Sequence, residues 1–287
     1  MLSTCGSSGL VRALVNSLIG SNSTNCRQDN LGVAIELLTP DRFQDPAIAY
    51  SYQRIIFEQV AAGERPPTVS ITPSTRHVGV TRKDTLRHGF DRAVQGAHEE
   101  GYPVLVRSSG GGATAAGPGT FGFSVIRPSE DVRRGIKERY DEAASLVLGA
   151  FLRLGIDAAE VGEVRDEFCP GDHSIRVGSF ESGMKLVGIA QRITRRATSV
   201  GGIVLVWGES ELTRVLGGVY AALNLPFRPG SVGSLRRIGS KTGVEEVIGA
   251  LAEEVKLRYG ATPVLLDERT QDLAQTSCAK HLVRPFV

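Results

Sequence analysis

No stretch of the 287-residue chain is apolar for long enough to cross a membrane as a helix, which argues against a spanning segment. Charge of one sign is lacking too: 33 Lys and Arg stand against 31 Asp and Glu, a formal net of +2, so long-range attraction to nucleic acid is not indicated. Cysteine is scarce. Cys5, Cys26, Cys169 and Cys278 contain no CxxC pair, and Cys169 with His173 supplies only half of a tetrahedral set, so no metal site is expected. Thiols scattered this widely do not make a secreted disulfide framework. A reducing cytoplasm is the expected location, with a Cys5–Cys26 bridge left open. No internal repeat is visible. What is there is an ordinary globular composition, 41% hydrophobic and 22% charged, enough for one large or two small domains with a substantial core.

Two stretches carry chemistry. From Phe168 to Arg192 the chain reads FCPGDHSIRVGSFESGMKLVGIAQR. Ser174 to Phe180 alternates as a half-buried strand does, Glu181-Ser182-Gly183-Met184 is a tight connection, and Lys185 to Ile193 returns as the partner strand. Pro170 fixes its own backbone angle and Gly171 permits unusual ones, so Cys169 falls where the chain bends into the sheet. A thiol there is either presented to a ligand or buried as an inert small apolar residue. The second stretch follows the apolar run Pro103 to Val106 and reads Arg107-Ser108-Ser109-Gly110-Gly111-Gly112-Ala113-Thr114. Three successive glycines let a backbone pass close to a ligand with its amides turned inward, the layout of a carbonyl or phosphate pocket; a flexible surface loop is the other reading.

The remaining pattern alternates strands and helices. Val33 to Leu38 reads as a strand, and Asp45-Pro46 opens a helix with Ala49, Tyr52, Ile55, Ile56 and Val60 at helical spacing. Thr68 to Ile71 and His77 to Val80 read as strands, Arg87 to Glu100 as a helix, and Phe121 to Ile126 as a strand. Ser129 caps an expected helix from Asp131 that Gly155 stops. Ala159 to Val164 and Ser199 to Val206 are candidate strands. Ser210 to Leu223 and Val244 to Tyr259 are candidate helices, the second with Thr242 and Glu245 as its capping box. His77, His88 and His98 are read as surface or edge histidines.

Together the two stretches resemble the biotin/lipoate protein ligase superfamily. Its arginine, serine and triple-glycine loop is matched by Arg107, Ser109, Gly110, Gly111 and Gly112. Its lysine followed by glycine and glutamine is matched by Lys185, Gly188 and Gln191 in KLVGIAQR. FCPG with the following serine strand looks most like the octanoyltransferases that work through an acyl-cysteine, the octanoyl-H-protein:protein N-octanoyltransferase type. The resemblance implies an α/β (α+β) fold, a mixed central β-sheet with flanking helices of the class II synthetase-like kind. Residues 1–30, serine-rich and with no acidic residue before Asp29, are expected to be a tail, a short docked helix or a presequence; the resemblance implies 31–260 as the catalytic domain with its C-terminal helices, followed by 261–287 as an extension.

The resemblance further implies an octanoyl or lipoyl protein acyltransferase in which Cys169 carries the acyl group, Lys185 contacts the ligand, and Arg107 and the glycines line the acyl site. Implied partners are lipoyl domains of 2-oxoacid dehydrogenases, the glycine cleavage H-protein and an acyl carrier protein, with no nucleic acid or membrane. No cofactor is required for transfer. ATP enters only if the chain is instead a lipoate-protein ligase, and a non-catalytic acyl-binding or lipoyl-domain-binding paralogue is a third reading. Ala115-Ala116-Gly117 stands where the ligases commonly carry a histidine and an aspartate, and no GRGRxG loop is present, both of which favour transfer without nucleotide. A thiol nucleophile needs an electropositive setting, which Lys185 is expected to supply while holding the acyl carbonyl. The oxyanion is expected at the amides of Gly110 to Gly112 or around Cys169. His173, four residues on in an extended segment, is not expected to reach the sulfur, and Asp166 and Glu167 are expected at exposed positions away from it. Arg236, Arg237 and Lys241 are read as a solvated rim, with docking of an acidic carrier as the alternative.

Overall fold

The computed structural model describes residues 34–129, 131 and 134–283. The expected tail over residues 1–30 lies outside them. In chain order the strands are β1 (Glu36–Leu38), β2 (Thr68–Pro73), β3 (His77–Val80), β4 (Val104–Val106), β5 (Thr114–Ala116), β6 (Thr120–Pro128), β7 (Glu160–Val161), β8 (Ile175–Val177), β9 (Met184–Ile193), β10 (Ala197–Leu205), β11 (Thr262–Val264) and β12 (Leu282–Val283). The helices are α1 (Pro46–Ala62), α2 (Phe90–Glu99), α3 (Ile136–Arg153), α4 (Glu209–Ala222), α5 (Val244–Tyr259) and α6 (Glu268–Ser277).

An eight-stranded sheet in the order β11-β1-β2-β6-β10-β9-β8-β7 stands beside a four-stranded one in the order β12-β4-β3-β5. Pairing in the large sheet is antiparallel except at β11-β1-β2, so the sheet is mixed. One face of it is apolar, with Phe121, Phe123, Val125, Val187, Val200 and Val204 packed on α3 and α5. The opposite face is shared. Tyr52, Ile55, Ile56 and Val60 of α1 cover one part, and the small sheet with α2 and α4 closes the other through Leu205, Leu212, Leu216 and Tyr220. The space between α1 and the small sheet is left open, and the site lies there.

Local chemistry sets most boundaries. The Asp45 carboxylate accepts the Ala47 N–H at 2.8 Å and Pro46 takes the first helical position, where a missing N–H costs nothing. The helix expected from Asp131 instead begins at Ile136, because Gly135 at φ 74° breaks the right-handed run. The capping box of α5 sits one residue later than expected: the Gly243 N–H donates to the Glu246 carboxylate at 2.7 Å. The strand expected over Ser174 to Phe180 is cut to β8 by Gly178 at φ 87°, and that expected over Ala159 to Val164 is two residues long. Residues 261–283 are woven into both sheets, β11 pairing with β1 and β12 with β4. No helix among the described residues is long and apolar enough to cross a membrane.

Candidate active site

Cys169 has left-handed backbone, φ 44°, a conformation that costs a non-glycine residue of order 1–3 kcal/mol and persists only where the surroundings hold it. They do. The Cys169 N–H donates to the Tyr220 hydroxyl at 2.6 Å, which itself donates to the Ala113 carbonyl at 2.9 Å. The Cys169 carbonyl accepts from Lys185 Nζ at 2.9 Å. Held at both ends of its peptide unit, the residue turns its sulfur onto the glycine loop.

There the sulfur meets donors. Arg107 Nη2 lies 3.2 Å from Sγ and the Gly112 N–H donates to it at 3.3 Å. Arg107 also braces the loop, donating to Ser109 Oγ at 3.2 Å and to the Gly112 carbonyl at 2.5 Å. The Gly110 N–H donates to the Gln191 carbonyl at 3.2 Å and ties the loop to β9. Gly111 must be glycine: at φ 102° a Cβ would run into the Cys169 sulfur and lie 2.9 Å from Arg107 Nη2. Burial pushes the Cys169 thiol up. The charges of Arg107 and Lys185, the Gly112 N–H and the Arg107 hydrogen bond outweigh it, so the thiol ionises below its ordinary range.

Lys185 is placed differently from the expectation that it holds an acyl carbonyl. Its ammonium has three N–H donors, and three oxygens take them: Glu167 Oε1 at 2.8 Å, the Phe168 carbonyl at 2.9 Å and the Cys169 carbonyl at 2.9 Å. The nitrogen also stands 4.7 Å from the centre of the Phe168 ring. The side chain is 1% exposed and no wall of the cavity. Lys185 therefore acts on the cysteine from behind, and Arg107 is the cation in contact with the sulfur. Gly188 makes this possible, since a Cβ there would lie 3.0 Å from Lys185 Cε. Glu167, expected at an exposed position, is buried as the partner of Lys185; Asp166 beside it is exposed.

Cys169 opens onto a cavity of about 260 Å³ between α1 and the large sheet. Its floor is made of small residues from adjacent strands: Thr72, Gly122, Ser124, Gly201, Gly188 and Ala190. One bulky side chain, Ile203, rises between Gly122 and Gly188; beside it the small residues leave a groove in which an extended apolar chain can lie. Tyr50 and Phe57 of α1 form the roof, and Arg192 crosses the Phe57 ring at 3.9 Å. His77 is a wall residue rather than a surface one; its Nδ1 is 2.8 Å from the Thr75 carbonyl, and burial pushes it down to about 4.

Arg107, Ser109, Gly188 and Cys169 thus line the cavity, and Gly111 and Gly112 press on the sulfur. Gln191 faces away. Its side chain donates to the Ile136 carbonyl at 2.6 Å and accepts from Arg139 at 2.9 Å, fixing the start of α3. His173 stacks on Tyr140 with ring centres 4.3 Å apart. Burial first, and then the negative charge of Cys169, raise the Tyr140 hydroxyl above its usual range. Arg237 donates to the Val232 carbonyl of its own loop at 2.6 Å, and Arg236 lies over the Trp207 ring, just after β10, at 5.6 Å. Sequence reasoning missed Tyr220, whose position in an amphipathic helix gives no sign of its bond to Cys169. It also missed the Glu167 ion pair, for which adjacency to Cys169 was the one available signal.

Known proteins resemble this chain. The model of the lipoyl protein ligase A/B catalytic domain matches residues 45–256. An octanoyl-GcvH:protein N-octanoyltransferase of Bacillus velezensis is 30% identical over 157 residues, 54% of this chain and 53% of the relative. A lipoyl-GcvH:protein N-lipoyltransferase of Listeria monocytogenes is 25% identical over 174 residues, 59% of this chain and 61% of the relative. The chain spans about half the length of the curated relatives it matches. In fold it is similar to a bi-partite lipoate protein ligase of Thermoplasma acidophilum, with a TM-score of 0.66 at 19% identity over 86% of this chain and 93% of that one. With the family's catalytic-domain model matched across both motifs, the chain belongs to the lipoyl protein ligase A/B catalytic domain family.

Proposed function

We propose that the protein is a cysteine-dependent acyltransferase that moves an octanoyl or lipoyl group from a carrier protein to a lysine of a lipoyl domain. The observation that supports this most is the Cys169 sulfur, held between Arg107 and the Gly112 N–H at the edge of an apolar cavity. The names of the relatives, which act on GcvH, favour an acylated H-protein as one of the carriers.

In the first half-reaction the thiolate attacks the acyl carbonyl, a C–S bond forms, and the bond from that carbon to the carrier's nitrogen or sulfur breaks. An amine leaving group takes up one proton from solvent as it departs, whereas a thiol leaves as its thiolate. In the second, the neutral amine of the acceptor lysine attacks the thioester, a C–N bond forms, the thiolate leaves and the nitrogen gives its extra proton to solvent. Arg107 and the Gly112 N–H stabilise the thiolate before attack. As the sulfur becomes bonded to carbon they are freed to meet the charge growing on the acyl oxygen. The aliphatic chain lies on the small-residue floor, each buried methylene contributing about 0.8 kcal/mol. No step in this scheme uses a nucleotide, and a thiol nucleophile suits a reducing compartment such as the cytoplasm.

The ATP-dependent ligase reading leaves Cys169 without a task, and the electropositive setting of its sulfur favours transfer instead. The test is intact mass after incubation with an octanoylated H-protein in the absence of ATP. One acyl adduct is expected on the wild type and none on Cys169→Ser. Labelling of a lipoyl domain that requires ATP and survives Cys169→Ser would overturn the proposal.

A further inference from the structure

Glu167 lies two residues before the cysteine, and its buried carboxylate joins three separate segments around it. Oε2 accepts the Val164 N–H at 3.0 Å, and Oε1 accepts the Ser174 hydroxyl at 2.5 Å and the Lys185 ammonium at 2.8 Å. Lys185 then spends its other two hydrogens on the carbonyls of Phe168 and Cys169, both at 2.9 Å. Neither member of the pair reaches water: the Lys185 side chain is 1% exposed and that of Glu167 is 0% exposed. Both backbone anomalies of the loop, Asp166 at φ 52° and Cys169 at φ 44°, flank this carboxylate.

An ammonium buried this deeply without a carboxylate beside it gives up its proton rather than bear the desolvation cost. The neutral amine keeps two donors and gains a lone pair, so it cannot serve two carbonyls and a third acceptor together. Its two remaining donors meet the two carbonyls only through weaker, uncharged hydrogen bonds, and the sulfur loses a positive charge behind it. The carboxylate is thus the part of the loop that keeps the lysine in a state able to hold the cysteine.

We propose that Glu167 is a positioning residue: by keeping Lys185 charged and clamped on the Phe168 and Cys169 carbonyls, it holds the cysteine in its left-handed pose against Arg107 and the Gly112 N–H. It touches neither substrate nor sulfur. The inference rests on the reading of Cys169 as the nucleophile, and it is tested on the thiol itself, so its outcome is separate from whether acyl transfer occurs.

The charged and titratable groups around the device are few. Arg107 touches the sulfur, Lys185 lies behind it, and Tyr220 and Tyr140 interact with its charge, Tyr140 being stacked on His173, which lies 3.8 Å from Asp141. Glu167 faces Lys185, while Asp172 and Lys185 act on Glu163 nearby. Burial first, and then the charges of Glu167 and Asp172, raise the Glu163 carboxyl, and the charge of Lys185 opposes them.

The experiment is the rate of Cys169 alkylation by iodoacetamide against pH, read on the Cys169 peptide by mass spectrometry so that the other thiols do not contribute. Glu167→Gln keeps the shape of the carboxylate and removes its charge. It is expected to raise the midpoint of the profile by about one pH unit, roughly tenfold less thiolate at neutral pH. Glu167→Asp, which retains the charge, is expected to restore at least half of the shift. Ser174→Ala removes one hydrogen bond and no charge, and is expected to leave the midpoint in place. A Glu167→Gln protein that is folded by circular dichroism and keeps or lowers the wild-type midpoint overturns the proposal, as does Ser174→Ala shifting it equally. Should Glu167→Gln fail to fold, the double variant Glu167→Gln with Lys185→Met removes the pair as a unit; an unshifted midpoint there overturns it too.

Discussion

The Cys169 sulfur accepts the Gly112 N–H at 3.3 Å, and the same peptide unit's neighbour, Gly111, has no room for a side chain because that sulfur and Arg107 fill the space. The glycine loop and the cysteine are therefore one structure, each shaped by the other. The loop's amide stabilises the thiolate only because its backbone comes closer than any Cβ would allow.

Gly111→Ala tests this directly. The new methyl group collides with the sulfur and also needs φ near 102°, so either the loop or the cysteine moves. The strain of such a position is about 1–3 kcal/mol, and displacement of the Gly112 N–H removes a charge-assisted bond. Acyl-adduct formation, followed by intact mass, is expected to fall at least tenfold, with a drop of a few degrees in Tm. Wild-type adduct kinetics in this variant would show that the loop does not need to touch the sulfur.

Arg107 governs the pH range of the thiol. Burial raises the Cys169 thiol, and Arg107 is the largest of the influences that bring it below its ordinary value. Removing the guanidinium in Arg107→Met leaves burial less opposed, so the thiol holds its proton to higher pH and the thiolate fraction at neutral pH falls. The alkylation profile is expected to move to higher pH, with a loss of tenfold or more at pH 7 and recovery as pH rises. Arg107→Lys is expected to recover only part of this, because a single ammonium cannot bond the sulfur, Ser109 and the Gly112 carbonyl at once. A profile unmoved by Arg107→Met would remove Arg107 from the chemistry.

Much of this was legible in the sequence because it depends on local pattern. The glycine triplet after an apolar strand, the bend at Cys169-Pro170-Gly171 and the helix opened by Asp45-Pro46 each follow from the backbone preferences of a few neighbouring residues. What was not legible depends on which side chains meet in space. Lys185 and Cys169 were rightly associated, but nothing in KLVGIAQR shows that the ammonium would meet the cysteine's carbonyl rather than a ligand, since that is decided by Glu167 packing beneath the loop. Gln191 matches the family motif and yet braces α3. The early end of the strand after Ser174 follows from Gly178 taking a positive φ, which alternation of side chains does not reveal. His77 reads as an unremarkable strand residue until α1 folds over it.

The cavity floor predicts chain-length selection. Gly122 lies in β6 in the middle of the floor, and a Cβ there meets nothing closer than the Gly202 carbonyl at 3.7 Å, so a side chain is accommodated without moving backbone. Gly122→Val is expected to fold, with stability equal to or above wild type, because valine suits a strand better than glycine. Its methyl groups occupy space that the acyl chain uses. Losing burial of two methylenes costs about 1.6 kcal/mol, so transfer of octanoyl relative to butyryl is expected to fall at least tenfold. Competition between the two acyl carriers, read by mass, measures the ratio directly. An unchanged ratio would place the chain elsewhere.

His77 makes a prediction about stability rather than chemistry. Burial holds its imidazole at about 4, against 6.5 for an unperturbed histidine, and the Thr75 carbonyl offsets this only in part. Between those two values the unfolded chain takes up a proton that the folded protein does not, so lowering the pH favours unfolding. The stability associated with a neutral His77 is fully present above pH 6.5 and is lost as pH falls towards 4, with no further change below that. By linkage this amounts to about 2 kcal/mol between pH 7.5 and pH 5. His281, which burial also pushes down, adds in the same direction. Replacing the imidazole with a group that does not titrate, His77→Gln, is expected to flatten that part of the curve by a comparable amount, whatever its effect at pH 7.5. Urea unfolding at the two pH values, compared between wild type and variant, gives the difference. Parallel curves would mean that His77 is protonated in the folded protein at pH 5, and that the cavity wall it forms is open to water.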